Sequence, residues 1–413
     1  MESCNTKSSL DLPLESLSLQ PFLQSLHKEQ WQEVRLGEVG RVVTGKTPSY
    51  KNPQDWGDST LFITPTDYKN YHKYAHNSER KISNIGKERF VKNLLPIHSI
   101  LVTCIGSDMG KVVVNKAEAL TNQQINAIIP NNGAINYNFL YYSMVDMYPI
   151  LRTYGANGTA VPILNKSDFE NLTIPLPPLT TQQKIAEILS SFDDKIDLLH
   201  RQNKTLESLA LTLFRHYFID NPKRDEWELG KLGDYVKIID NRGKTPPFTT
   251  DITPYPLIEV NALSDDSMLI NYDIVRKYVI KETYQNWFRE HIKQYDILFS
   301  TVGSIGEVAM LLDNKGCIAQ NVIGFRARDI SPFYLYEWLK YMQQEIKEFD
   351  IGSVQPSIKV THFVEKQIYK PDSKILESFD KQMLLITDKI SHNTKQIQNL
   401  QAMRDILLKA IFE

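Results

Sequence analysis

Thr245 to Phe248 read TPPF, one residue away from the Asn-Pro-Pro-(Phe/Tyr) loop with which amino-methyltransferases hold a target amino group. That chemistry rests on the asparagine amide, which threonine cannot replace. A related stretch, TPSY at Thr47 to Tyr50, departs further, so both are read as loops. GSDMGKV, opening at Gly106, has the look of a phosphate loop, but it is one residue short and lacks a Ser or Thr after Lys111. His72 and His76 are four apart with no Glu between them and no third ligand, which is expected of surface residues rather than a zinc site. A glycine-rich dinucleotide fingerprint, a Ser-His-Asp arrangement and a nuclease carboxylate–lysine cluster are all missing. The expectation is a chain with no catalytic residues, no metal and no cofactor of its own.

Composition narrows the class. The 413 residues suffice for two or three domains, and 42% hydrophobic with 23% charged residues describes a globular chain. No apolar run reaches the roughly 18 residues of a membrane span. The start, MESCNTKSSLDLPLES, has neither the basic opening nor the apolar core of a signal peptide. Cys4, Cys104 and Cys317 are far apart and odd in number, which suits a reducing cytoplasm. A formal charge of −2 gives no global hint of nucleic acid.

The chain repeats itself. WQEVRLGEVGRVVTGKTPS from Trp31 answers WELGKLGDYVKIIDNRGKTPPF from Trp227. SILVTCIGSDMGKV from Ser99 answers DILFSTVGSIGEV from Asp296, where Glu307 replaces the lysine of the loop. NQQINAII from Asn122 matches AQNVIGFR from Ala319, and Lys195-Ile196 matches Lys389-Ile390. One drifting register covers nearly the whole chain, so the protein is read as a tandem duplication.

Each copy has two parts. Residues 31–179 and 221–373 hold short β-rich runs broken by Gly, Pro, Asn and Asp, followed late by helical patterns, which predicts an α+β domain. Residues 180–220 and 374–413 are each a long helix. In the first, Ile185, Leu189, Phe192, Ile196, Leu199, Asn203, Leu206, Ala210 and Leu213 recur at spacings of four and three. Thr180 with Gln183 forms a candidate capping box after the prolines. In the second, Phe379, Met383, Ile386, Ile390, Asn393, Ile397, Leu400, Arg404 and Leu407 take the equivalent places. The fold predicted is a duplicated α/β domain plus helix, the helices packed as an antiparallel coiled coil with pseudo-twofold symmetry. Residues 1–30 lie outside the repeat; they form either a short helix against the C-terminal helix or a mobile arm.

PLPPLTTQQKIAEIL from Pro175, GKTPS with FITPTDY, and RGKTPPF, LIEVNAL, ILFSTVGSIGEV and AQNVIGFRA in the second half resemble the specificity subunits of type I restriction–modification systems. The resemblance runs from Trp31 to Phe412. The second helix departs from the pattern, opening YKPDSKILESFDKQM without the PLPPL run. The resemblance implies two target recognition domains, each reading one half of a split site in double-stranded DNA, with the helix pair setting the gap. It implies docking of two methyltransferase subunits, in which S-adenosylmethionine would be the cofactor, and sometimes of restriction subunits. The competing reading is a coiled-coil protein scaffold with two adaptor domains.

Direct readout favours Arg or Lys to guanine and Asn or Gln to adenine, from loops and strand ends. In the first copy the candidates are Lys46, Thr47, Ser49, Tyr50, Thr66, Asp67, Tyr68, Lys69, Arg80, Lys81, Ser107, Lys111, Asn122, Gln123 and Gln124. In the second they are Asn241, Arg242, Lys244, Thr245, Glu259, Asn261, Arg276, Lys277, Ser304, Gln320 and Asn321. Positions repeated between copies are read as backbone supports, and positions that differ as readers of different bases. Near-neutral charge predicts weak binding by the chain alone and salt-sensitive binding by a complex.

Overall fold

Ile100–Thr103 forms a strand buried along its whole length. Side chains alternate across a sheet, and this strand uses both sides. Ile100 and Val102 enter one apolar cluster, while Leu101 enters another. Ile297–Ser300 repeats the division, with Ile297 and Phe299 on one side and Leu298 on the other. Covering both faces is why these runs read as continuous rather than alternating apolar stretches.

The computed structural model describes residues 20–154, 163–241, 243–264, 267–350, 352 and 356–413. The chain divides into two units, Met1–Leu198 with Ile397–Glu413, and Leu199–Gln396. In the first unit a five-stranded sheet runs in the order Gly40–Thr44, Ile125–Pro130, Ile100–Thr103, Val112–Asn115 and Tyr74–Ala75. Its pairs are antiparallel except the last. A second sheet orders Trp56–Gly57, Arg80–Ile82, Thr60–Ile63 and Ala119–Thr121. Gln32–Arg35 pairs with Thr173–Leu176 and so brings the end of the domain back to its start.

The second unit keeps this plan with fewer edge strands. Val236–Ile239, Val322–Ala327, Ile297–Ser300 and Val308–Met310 form the main sheet, Leu257–Ile258 pairs in parallel with Cys317–Ile318, and Glu228–Lys231 pairs with Gln367–Lys370. A helix follows each sheet, Tyr137–Asp146 and Pro332–Tyr341. Asn136 and Ser331 cap them by accepting two backbone N–H bonds each.

The long helices are Leu179–Phe214, of 36 residues, and Ser373–Phe412, of 40 residues. At 1.5 Å per residue these are about 54 and 60 Å long. The first starts one residue before the expected capping box. Pro178 O accepts the amides of Thr181 and Gln182, so Thr180 lies inside the first turn and Gln183 is exposed. The motif's other glutamine does the anchoring: buried Gln182 accepts from Asn136 N and donates to Pro177 O and Ala134 O. The second helix is capped from Asp372, which accepts from Lys374 N.

Within each unit the helix segments run antiparallel. In the second, Asn203 meets Asn393 at 2.9 Å and Tyr217 packs on Phe379. In the first, Asp193 meets Arg404 at 2.6 Å. None of the seam residues Ile185, Leu189, Phe192, Ile196, Leu199, Leu206, Leu213, Met383, Ile386, Ile390, Ile397, Leu400 and Leu407 is exposed. The helices do not bury that seam on each other alone. Ile185, Leu189 and Leu407 share one cluster with Phe139 and Ile128; Ala210, Phe214, Met383 and Ile390 share another with Phe299 and Leu335. Of the two possibilities for the N-terminal segment, the part from Gln20 is a helix, Gln20–Gln24. Leu26 enters the cluster of Leu407, Leu408 and Ile411, and Lys28 Nζ donates to Ala410 O at 2.9 Å.

A buried polar network ties the first unit's helices to its sheet. Lys73, 2% exposed, donates to Ser190 Oγ at 2.9 Å and to Tyr142 OH at 3.2 Å. Tyr142 donates to Asp193 Oδ2, whose other oxygen takes Arg404. Burial lowers the Lys73 ammonium to about 8, against the pull of Asp193 and Asp194. The second copy fills the same places differently. Met268 O accepts from Met310 N as Lys73 O accepts from Val114 N, and Thr387, in the place of Asp193, contacts the Met268 sulfur.

Candidate nucleic-acid interface

Strand register explains why the candidate loops converge. Thr44 pairs with Asn126 and Thr103 with Ile125, so three connections leave the same end of the first sheet. They are the Gly45–Tyr50 loop, the turn at Asn122–Gln124 and the glycine loop from Gly106. Ile239 opposite Gly324 and Ser300 opposite Val322 arrange the second copy alike.

The glycine loops are turns. Gly106 and Gly110 have φ of 89° and 94°, and Gly303 and Gly306 have 85° and 77°. Side chains with a Cβ rarely adopt that region, which accounts for glycine at both ends of both loops. Thr103 Oγ1 accepts from Lys111 N and donates to Asp108 O, while Ser300 Oγ accepts from Glu307 N and donates to Ser304 O. Lys111 Nζ pairs with Asp108 at 2.6 Å. Ser107 and Ser304 are exposed at the loop tips.

Thr47 Oγ1 donates to Gln123 Oε1 at 2.8 Å, and Thr245 Oγ1 donates to Gln320 Oε1 at 2.9 Å. Asn122 and Gln124 bond each other through the Asn122 amide. Beside the threonine, each loop holds out an aromatic ring: Tyr50 is 74% exposed and Phe248 48%. A cation from the neighbouring strand region covers each. The Arg80 guanidinium lies 3.5 Å from the Trp56 ring centroid and 5.1 Å from that of Tyr50, and donates to Tyr50 OH at 3.0 Å. Lys277 Nζ lies 4.9 Å from the Phe248 centroid and bonds Glu259 at 2.8 Å. A cleft of about 320 Å³ in the second copy is lined by Thr245, Glu259, Asn261, Lys277, Gln320 and Asn321 among others.

Three of the sequence candidates do not reach the surface. Asp67, 3% exposed, accepts from Thr64 N, Thr64 Oγ1 and Glu79 N, which fixes the turn after Ile63. Tyr68 is buried and donates to Leu101 O, and burial pushes its phenol well above the ordinary value. Buried Asn241 donates to Ile318 O. They support the fold because each satisfies backbone groups that burial would otherwise leave unpaired. Arg276 Nη1 is drawn onto Asp273 O and Val275 O, and half-buried Lys81 sits opposite Leu61. Lys46, Ser49, Thr66, Lys69 and Lys244 are exposed, and Arg242 lies outside the described residues. Trp56 and Phe248 were not among the sequence candidates. The signal for Phe248 was its alignment with Tyr50; Trp56 has no counterpart to betray it. His72 and His76 are exposed, and among the described residues no three His, Cys, Asp or Glu gather as a metal site.

The family model described as the type I restriction modification DNA specificity domain matches residues 28–208 and again residues 224–401. The chain belongs to that family. It carries two specificity domains in tandem, and the two repeats seen in the sequence are those domains. The type I restriction enzyme MjaIX specificity subunit of Methanocaldococcus jannaschii is 29% identical over 411 residues, 93% of each chain. The MjaVIII specificity subunit of the same organism is 23% identical over 400 residues, 90% of each. Among solved structures, the S subunit of a type I restriction–modification system from M. genitalium superposes with a TM-score of 0.53 at 16% identity, over 93% of this chain and 96% of that one. That likeness supports the shared fold. No helix among the described residues is long and apolar enough to cross a membrane.

Proposed function

We propose that this chain is the DNA-reading subunit of a type I restriction–modification complex working in the cytoplasm, and that each specificity domain reads one half of a split site. The observation that carries the reading is the repeated constellation at one end of each sheet. A threonine–glutamine pair is held beside an exposed aromatic ring under a cation, while neighbouring positions differ between copies. Repeated parts position and varied parts specify. The long helices act as the ruler between halves and as the dock for two methyltransferase subunits, with restriction subunits as further partners.

Chemistry belongs to the partners in this reading. Methyl transfer to adenine, with S-adenosylmethionine, occurs in the methyltransferase subunits, and this chain selects where. A formal charge of −2 leaves much of the phosphate neutralisation to those subunits as well. The test is to map adenine methylation across a genome carrying the methyltransferase partner, with and without this gene. A split motif methylated only in its presence is expected. Exchange of residues 31–179 should then alter one half of the motif. Methylation by a demonstrably active partner that ignores this gene would leave the scaffold reading in its place.

A further inference from the structure

Beside the matching loops, the two copies differ at one pair of positions. In the second copy, Glu259 and Lys277 form a bond of 2.8 Å with both side chains 35% exposed, inside the cleft that Thr245, Asn261 and Gln320 also line. In the first copy Thr64 takes the place of Glu259, since each precedes the short 3-10 turn after the matching strand, and Arg80 takes the place of Lys277. Thr64 is occupied by Asp67 and Arg80 by the Tyr50 and Trp56 rings. Of these two pairs of positions, the second copy's therefore presents a carboxylate acceptor and an ammonium donor side by side.

Resting on the DNA-reading role proposed above, we infer that Glu259 and Lys277 together read one C·G base pair in the half-site of the second domain. In the major groove cytosine offers the N4 amino donor, and guanine beside it offers O6 and N7 as acceptors. Glu259 accepts from cytosine N4, and Lys277 donates to guanine N7. An A·T pair suits this couple less well: its acceptors are split between the two bases, and the thymine methyl group meets a charge. The existing ion pair holds both groups near the required spacing. Half exposure lets them exchange each other for the base edge without opening the core. Phe248 beneath Lys277 limits the directions the ammonium can take.

The experiment compares the genome-wide methylation motif of the complex containing the wild-type chain with that containing Glu259→Gln. The wild-type motif is expected to contain a C·G pair in the second half. The variant should relax that single pair, cutting its discrimination by roughly ten-fold or more, with the first half and the gap unchanged. An unaltered motif in the variant, or a second half made of A·T pairs only, overturns the inference. As a measurement independent of any variant, the wild-type complex is bound to duplexes carrying 7-deazaguanine at each guanine of the second half. One sensitive position is expected, and it should coincide with the pair relaxed in the variant; indifference at every position overturns the inference. Methylation independent of the wild-type gene would instead sink the DNA-reading role itself, which separates the two failures.

Discussion

Thr47 gives its hydroxyl proton to Gln123 Oε1 at 2.8 Å, and Thr245 does the same to Gln320 Oε1 at 2.9 Å. The bond staples the Gly-Lys-Thr-Pro loop to the turn before the central strand and sets which end of the amide faces the loop. Its repetition in two copies whose neighbouring residues differ marks it as support. Thr245→Val keeps the volume and removes the donor. A neutral hydrogen bond contributes about 1 kcal/mol, so specific affinity of the complex should drop roughly five-fold. The recognised bases should not change. A shifted motif in methylation mapping would make Thr245 or Gln320 a reader instead.

Asp193 accepts from both Arg404 and Tyr142, and the tyrosine in turn takes Lys73, while Asp405 holds the other side of the Arg404 guanidinium. Asp193→Ala removes the carboxylate next to buried Lys73 and leaves Arg404 with Asp405 alone, and should cost about 3–5 kcal/mol in urea unfolding of the full chain. The second copy shows the apolar solution at the same places: Met268, Thr387 and Ala210 for Lys73, Asp193 and Arg404. The triple variant Lys73→Met, Asp193→Thr, Arg404→Ala should therefore be more stable than Asp193→Ala alone. Equal loss in both would mean that packing, not charge, sets the cost.

Much of this plan was legible in the sequence because duplication writes each element twice. The heptad seam and the glycine turns follow from matching the copies, whereas the bond of Thr47 to Gln123 spans two distant loops that no sequence pattern links. Burial was the harder quantity. Asp67, Tyr68 and Asn241 look like readers because they are polar and flank loops, yet each turns inward to satisfy backbone groups, which depends on the path of neighbouring strands. The Lys73–Asp193–Arg404 network spans three distant segments, and no local pattern announces it. The helices also share their seam with the sheets, which spacing alone cannot distinguish from a free-standing coiled coil.

Glu337 occupies the place of Tyr142 in the second copy and is 2% exposed. Burial raises its carboxyl from 4.5 to about 8, with Lys340 opposing and Glu207 adding to the rise. A carboxyl that binds its proton more tightly when folded stabilises fully below its unfolded value, and that contribution falls as pH climbs toward the folded value. Stability should thus decline between about pH 4.5 and pH 8 through this group. Glu337→Gln, neutral at every pH, should flatten the decline and be the more stable form at pH 8. Parallel pH profiles of thermal unfolding for the two chains would contradict this.

Asn393 is fully buried on the second helix and donates to Asn203 Oδ1 at 2.9 Å, while its own Oδ1 has no partner among the described residues. Such a pair within an apolar seam commonly fixes helix register at some cost in stability. Here the helices are also held by the domain cores, since Ala210, Phe214, Met383 and Ile390 share a cluster with sheet residues. Asn393→Leu alone should cost about 1–3 kcal/mol, because Asn203 Oδ1 loses the donor it accepts from. The double variant Asn203→Leu, Asn393→Leu removes both polar groups and should return to wild-type stability or exceed it. A slip of one heptad would move the helices by about 10 Å, or roughly three base pairs of DNA. With the cores holding register, the gap between the methylated half-sites should stay at its wild-type length in the double variant. A mixture of gaps differing by about three base pairs would assign the register to the asparagine pair instead.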